Sequence, residues 1–362
     1  FYKLLIKTIQ DFGFEACNED ECMWIYRRNG KRLILATVVD DMLQVSDDPE
    51  LIKEFNAYLE KHFIITNNGP VEWFLGVHFR KHKDGGWHAN QTAYLDRCLA
   101  KYGVVDEPGC KTPMLKGYTV SSEDICDNPD PRVVHEAKQM LGSLGYLQIW
   151  TRPDIAYAVN VLARHALKAT PALLEKMRKI FRYLKHTKDY GIRFHQHDPL
   201  RQGAKLYSFV DASDADCKQT RRSTGGYVLF FNGTPIAWRS ARQPLVTLST
   251  AESEYVQATL ACQEVLSLRQ LFARLGFEQT EPTLMWEDNK AAINLSVNPC
   301  SRGHTKHIER RWHFVRQCDA DRTVMLCKIA GTQNPADMFT KALHFEAFVM
   351  YREMLSVVPF AR

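Results

Sequence analysis

Four acidic residues in the C-terminal half sit where strands end or helices begin. Asp211 closes an apolar run, Ser208-Phe209-Val210-Asp211, and Asp288 follows a second one at 284–287. Glu254 stands in the opening turns of a long helical pattern, and Asp337 follows Asn334-Pro335 at a helix start. Strand ends and helix starts at one sheet edge can converge, and like charges gathered there raise each other's pKa unless divalent cations neutralise them. Such a set suits phosphodiester hydrolysis, in which two Mg2+ ions about 4 Å apart activate a water and stabilise the leaving 3′ oxygen. Hard oxygen ligands select Mg2+ or Mn2+ over zinc. Taken singly, each acid reads as a cap or a solvated loop residue; the four in this order point to chemistry. The helical acid has two candidates, because Glu252 and Glu254 lie two apart on different helix faces.

A basic segment follows the third acid. Residues 299–316 hold Arg302, Lys306, Arg310, Arg311 and Arg316 against the single acid Glu309, with His304, His307, His313 and Trp312 interleaved. Lys306 and Arg310 are spaced i,i+4, as are His307 and Arg311, so a helix here presents a cationic stripe suited to gripping phosphates. The plainer reading is a solvated charged face. Cys300, His304, His307, His313 and Cys318 do not make a zinc pattern, since His304 and His307 are i,i+3 and no CxxC exists. No Gly-x-Ser-x-Gly elbow supports a hydrolytic serine. Far upstream, Asp40 and Asp41 end the apolar run 34–39, a pair that one cation would suit but that is weak as a motif.

The elements that must position these groups fall into three textures. Up to residue 113, short β-rich runs at 23–26 and 32–39 flank Asn29-Gly30, a hairpin signal. Asp47 or Asp48, followed by Pro49, opens a helix to about 61. Runs at 73–80 and 87–91 form a second hairpin around Gly85-Gly86, and a helix covers 92–102. A polar connector, 110–131, leads to a helical stretch, 132–186, broken at Arg152-Pro153-Asp154. From about 203, strands at 205–211, 226–231 and 235–238 precede a helix over 250–275 with Gly276 as its C-cap. Strands at 284–287 and 324–329 follow. Strands in succession and then strand–helix units predict a mixed sheet with helices packed on it.

Composition bounds the reading. The chain has 362 residues, 45% hydrophobic and 25% charged, which is globular and long enough for two or three cores. Lys and Arg number 47 and Asp and Glu 42, a net charge of +5 that permits a polyanionic partner without announcing one. No apolar run approaches the roughly 20 residues of a membrane span, so no membrane partner is expected. The ten Cys are scattered and read as reduced thiols of a cytosolic or nuclear protein. The start, Phe1-Tyr2-Lys3, has no initiator Met, signal or transit peptide, and reads as a fragment or a processed product.

From Ser208 to Leu343 the chain resembles the ribonuclease H domain of copia-type retrotransposon Pol polyproteins. The matching segments are Asp211-Ala212-Ser213, Arg221-Arg222-Ser223-Thr224-Gly225-Gly226-Tyr227, Ser249-Thr250-Ala251-Glu252-Ser253-Glu254-Tyr255, Asp288-Asn289, Thr305-Lys306-His307-Ile308 and Asn334-Pro335-Ala336-Asp337-Met338-Phe339-Thr340-Lys341. The resemblance implies that Asp211, Glu254, Asp288 and Asp337 hold two Mg2+ and cut the RNA of an RNA–DNA hybrid. It favours Glu254 over Glu252, because Ala258 and Ala261 follow Glu254 at the offsets seen in ribonuclease H enzymes. Asp214 stands where the family carries a Trp, and with Asp216 it adds negative charge beside the centre.

Upstream, Val38-Val39-Asp40-Asp41-Met42 looks like the aspartate-pair hairpin of a copia-type reverse transcriptase palm, with Val38 in place of the family's Tyr. Phe74-Leu75-Gly76-Val77, Gln91-Thr92-Ala93-Tyr94-Leu95, Thr112-Pro113, Gly142-Ser143-Leu144-Gly145-Tyr146-Leu147 and Thr151-Arg152-Pro153-Asp154-Ile155-Ala156-Tyr157-Ala158 continue the match. The implied architecture is α/β (α+β). Residues 1–113 form the C-terminal part of a palm, and 114–202 a helical thumb- or connection-like region. Residues 203–345 form a ribonuclease H-like mixed five-stranded sheet flanked by helices, and 346–362 a tail. A palm also needs an Asp from an earlier strand, which the resemblance places before Phe1, so RNA-directed DNA polymerase activity is expected of an intact parent and not of this chain. The implied partners are an RNA–DNA hybrid and DNA or RNA, in a cytoplasmic virus-like particle or the nucleus; the oligomeric state is left open. Val38, Asp214 and the missing front motivate the alternative of a decayed or repurposed element that binds nucleic acid without catalysis.

Overall fold

The computed structural model describes residues 1–196, 205–217, 219–297 and 306–360. Two compact units divide the chain: Phe1–Phe79 with Leu266–Thr280, and Arg80–Val265 with Glu281–Arg362.

The first unit opens with helix α1 (Tyr2–Phe12) and an antiparallel sheet of β1 (Glu15–Cys17), β2 (Asp20–Arg28), β3 (Lys31–Val38) and β4 (Asp41–Ser46), ordered β1-β2-β3-β4. Asn29 and Gly30 link β2 to β3 with φ of 52° and 75°, the left-handed pair that a two-residue hairpin turn needs. Helix α2 (Pro49–Leu59) starts as its sequence dictates. Pro49 fills the first position, and the Asp48 side chain accepts from the Glu50 N–H at 3.0 Å. Leu33 and Leu35 alternate inward from β3 and join Leu5, Ile9, Trp24, Leu51, Phe55 and Leu59 in one apolar core. Ile25 packs with Leu275 and Leu271 in a smaller cluster, and Arg32 donates to the Leu275 and Gly276 carbonyls at 3.0 and 2.8 Å. Strand β3 ends at Val38 and not at Val39. Val38 pairs with Asp41, and Val39 sits in the turn at φ 58°, a costly conformation for a β-branched residue. The short strands β5 (Trp73–Phe74) and β6 (Val77–Lys81) pair through Trp73–His78 and Phe74–Val77.

In the second unit β7 (Trp87–Asn90) leads into the helices α3 (Thr92–Lys101), α4 (Pro131–Trp150), α5 (Ala156–Ala163) and α6 (Pro171–His186), and then β8 (Tyr190–Phe194). Next come β9 (Leu206–Ala212), β10 (Thr224–Phe231), β11 (Thr234–Arg242) and the helix α7 (Thr250–Leu275), whose residues to Val265 belong to this unit. The chain continues through β12 (Thr283–Glu287), α8 (Lys290–Val297), α9 (Lys306–Ala320), β13 (Val324–Lys328), α10 (Phe345–Met354) and β14 (Val357–Pro359). The five-stranded sheet is ordered β11-β10-β9-β12-β13. Strands β10 and β11 are antiparallel to their neighbours, whereas β12 runs parallel to both β9 and β13. This is the mixed five-stranded sheet that the sequence predicts, with its strands within a few residues of the expected runs. Asp337 is the exception: it lies in a 3-10 turn, Pro335–Phe339, and the last helix is α10. Pro335 starts that turn and Asn334 caps it, accepting from the Ala336 N–H at 3.1 Å.

Strand β9 is buried along its whole length, as a central strand covered on both faces must be. One core runs from the helices (Leu144, Leu162, Phe181) across Tyr207, Phe209, Val228 and Phe230 of the sheet to Phe339. The stretch 346–362, expected as a tail, contributes Phe348, Tyr351, Leu355 and Val357 to that core, and β14 pairs with β8. Among the described residues no helix is long and apolar enough to cross a membrane.

The break between α4 and α5 holds a buried ion pair. Arg152 Nη2 lies 2.8 Å from Asp154 Oδ2, with the two side chains 3% and 0% exposed. The guanidinium also donates to the Thr187 carbonyl at 3.0 Å and to its hydroxyl at 2.7 Å, and Tyr183 donates to Asp154. Replacing Asp154 by Ala strands a buried cation, so the urea midpoint should fall by the equivalent of about 3–5 kcal/mol at an unchanged m-value.

Candidate metal centre

The strand register places two of the four acids level with each other. Met285 of β12 pairs with Ser208 of the parallel β9, and three residues further on come Asp288 and Asp211. Asp211 is the penultimate residue of β9, and Asp288 directly follows β12, so both carboxylates leave the sheet at one edge. Helix α7 brings the third. Its first turn is capped from both sides: Ser249 Oγ accepts from the Glu252 N–H at 3.3 Å, and Glu252 accepts from the Leu248 N–H at 2.8 Å. Glu252 is thereby spent on the helix terminus. Glu254, 3% exposed, faces the strand ends. One ligand oxygen from each of Asp211, Glu254 and Asp288 lies within 4.8 Å of the others, the single such group of three or more His, Cys, Asp or Glu among the described residues.

Asp337 approaches from a different element. Asn334 Nδ2 donates to the Val210 carbonyl at 2.8 Å and pins the 3-10 turn to β9. Gly226 lets the turn come close, because a Cβ there would lie 2.4 Å from the Cβ of Phe339. Asp337 is held by Lys341, whose Nζ is 2.7 Å from Asp337 Oδ1 and 3.7 Å from Asp211 Oδ2. Thr340 donates its hydroxyl to the same Asp211 oxygen. Gly331 backs Asp288, because a Cβ there would lie 2.9 Å from Asp288 Oδ2.

The electrostatics are those of acids brought together out of water. Burial, and then the charges of Glu287, Asp211 and Asp288, push Glu254 up to about 11. Burial also raises Asp211, against the pull of Lys341 and Thr340, and with Asp211 it lifts Asp337 to about 7. Glu287, fully buried, is pushed up to about 8, chiefly by desolvation. Its Oε1 accepts from the Asn289 N–H at 2.9 Å, while Glu287 Oε2 and Glu254 Oε2 are buried without a hydrogen-bond partner. Buried carboxylate oxygens lacking donors, beside two further acids, fit a divalent cation held by oxygen ligands.

Sequence reasoning missed Glu287, Lys341 and Thr340 as parts of this centre. Glu287 was legible: β12 alternates buried positions at Thr283, Met285 and Glu287, so the last shares the inward face. Lys341 and Thr340 carry no such signal, because a 3-10 turn has no long periodicity. The charge expected from Asp216 is absorbed locally. Asp216 accepts from Ser213 Oγ, Thr224 N and Thr224 Oγ1 at 2.7, 2.7 and 2.6 Å, with Arg164 Nη1 3.9 Å away. Asp214 is exposed. Asp40 lies in the β3–β4 turn and Asp41 opens β4, both exposed, and neither belongs to a group of three ligands among the described residues. Arg302 lies outside the described residues, as do the side chains of Lys306, His307 and Arg310. Helix α9 runs Lys306–Ala320, and Arg311 on it is half-buried.

Residues 1–116 match the family model for reverse transcriptase (RNA-dependent DNA polymerase). The Retrovirus-related Pol polyprotein from transposon TNT 1-94 of Nicotiana tabacum is 32% identical over 348 residues, covering 93% of this chain and 25% of that one. The uncharacterized mitochondrial protein AtMg00810 of Arabidopsis thaliana is 32% identical over 233 residues, 64% of this chain and 93% of that one. A solved foamy viral protease-reverse transcriptase in complex with RNA/DNA hybrid is 14% identical at a TM-score of 0.45, over 91% of this chain and 37% of that one. The chain belongs to the family of copia-type retrotransposon Pol polyproteins, and spans about a quarter of the length of the curated polyproteins it matches.

The raised pKa values carry a sign. Glu254, Glu287, Asp211 and Asp337 each bind a proton more tightly folded than unfolded, so without metal their contribution to stability is fully present below the ordinary carboxylate range and is lost as pH climbs toward the raised values. Glu254→Gln, neutral throughout, should raise the Tm measured in EDTA, and by more at pH 8 than at pH 5. An equal or lower Tm at pH 8 contradicts the assignment of Glu254 to a desolvated, like-charged site.

Proposed function

We propose that residues 203–345 form a Mg2+-dependent ribonuclease H that cuts the RNA strand of RNA–DNA hybrids, with Mn2+ able to replace Mg2+. The observation that carries this reading is the convergence of Asp211, Glu254 and Asp288 within 4.8 Å from three separate elements. Asp337 is the fourth ligand in this reading. Bound there, a pair of divalent cations would supply an activated water and stabilisation of the leaving 3′ oxygen. The protein's own part is to hold four carboxylates in place against their repulsion, on the ends of parallel strands and capped turns. Helix α9, with Lys306, His307, Arg310 and Arg311, together with Arg302 before it, would track the phosphate backbone beside the centre.

Residues 1–113 are then the C-terminal part of a reverse transcriptase palm, 114–202 its thumb- or connection-like continuation, and 203–345 the nuclease. Polymerase activity belongs in this reading to a longer parent, because Asp40 and Asp41 alone do not make a two-metal site.

The test is cleavage of a labelled RNA–DNA hybrid by the 362-residue chain in Mg2+. Asp288→Asn removes a charged ligand from a site worth several kcal/mol of transition-state stabilisation, so the rate should fall by about a thousandfold. Full activity of Asp288→Asn would remove the site assignment. Hybrid binding without cleavage in both Mg2+ and Mn2+ would instead favour a binding-only element. Primer extension on an RNA template, expected to be absent, would overturn the assignment of Asp40 and Asp41.

A further inference from the structure

The centre is asymmetric. The three carboxylates that converge are Asp211, Glu254 and Asp288, and Asp337 is outside that group. What Asp337 has instead is Lys341, at 2.7 Å. The same ammonium reaches to 3.7 Å from Asp211 Oδ2, so it lies between the first and fourth acids. Its root is fixed. The Lys341 and Thr340 N–H groups both donate to the Asp337 carbonyl, at 3.1 and 3.2 Å, and the turn is pinned to β9 through Asn334. The side chain beyond it is 47% exposed. Burial works against the Lys341 charge, yet Asp211 and Asp337 hold its pKa above the usual range.

Resting on the metal-centre reading above, we infer that Lys341 is a tethered counter-cation that competes with a divalent ion for the Asp211–Asp337 side of the centre. An ammonium between two carboxylates neutralises the repulsion that a metal would otherwise have to relieve, and two cations cannot share the same few ångströms. The triad side offers its oxygens directly. The Asp337 side accepts an ion only as Lys341 swings into solvent, which its exposure and long stem permit. The two halves of the centre therefore differ in affinity because of one side chain, and Lys341 also stabilises the fold when no metal is present.

The test is calorimetric titration of the full chain with Mn2+ alone. Lys341→Gln should tighten the weaker binding event about fivefold, the scale of one partly exposed ion pair, or bring out such an event where the native chain shows one only. It should also lower the Tm in EDTA, while Lys341→Arg keeps both native values. A Lys341→Gln protein that binds Mn2+ no more tightly than the native chain overturns the inference and leaves the metal centre standing. Native protein with no Mn2+ binding that Asp288→Asn abolishes removes the metal centre itself. A readout independent of any variant is the modification rate of Lys341 by an amine-reactive reagent, followed by mass spectrometry on native protein. That rate should rise as Mn2+ saturates, and a rate indifferent to Mn2+ overturns the inference.

Discussion

Carboxylates at close range and out of water repel, and most of the local structure around Asp211 answers that repulsion. Burial and mutual charge raise Glu254, Glu287, Asp211 and Asp337 together, each against its neighbours. No one of them could hold its place on a mobile loop. Asp211 is locked into a strand paired on both sides, and Asp288 takes its level from the parallel register. Glu254 rides a helix whose first turn is fixed by the hydrogen bonds of Ser249 and Glu252, and Asp337 a turn stitched to Val210 by Asn334. Rigid elements hold like charges together where loops would let them part.

That rigidity has to come from somewhere deeper. In the second unit it comes from a core that does not stop at the sheet. Residues of helices α3–α6, of strands β9 and β10, and of α10 and β14 all belong to it. The buried Arg152–Asp154 pair, with Tyr183 and Thr187, spans the break between two of those helices. Like many buried ion pairs it is better read as fixing one arrangement of α4, α5 and α6 than as net stabilisation.

Much of this was legible in the residues. The five strands, the long helix and its Gly276 end, the Asn29-Gly30 hairpin and the Asp48–Pro49 helix start all follow from periodicity and turn chemistry. The convergence of Asp211, Glu254 and Asp288 was anticipated, because strand ends and a helix start at one edge meet readily. Legibility failed where geometry is set by tertiary contact. Val39 is drawn out of its strand into a left-handed turn against its own β preference. Asp337 stands on a 3-10 turn too short to show a period, and Lys341 gains its place only through that turn. Glu252 and Glu254 could not be separated by spacing alone; the capping hydrogen bonds separate them. Asp216 looked like surplus charge and turned out to brace the β9–β10 connection through Ser213 and Thr224.

The claim on which the rest depends is that this acidic cluster holds divalent metal through Asp211, Glu254 and Asp288. Anomalous diffraction from crystals of the chain equilibrated with millimolar Mn2+ tests it without reference to turnover. A manganese peak bound by oxygens of those three residues is expected. Crystals with no anomalous peak at the triad, or with manganese only elsewhere on the chain, would contradict it.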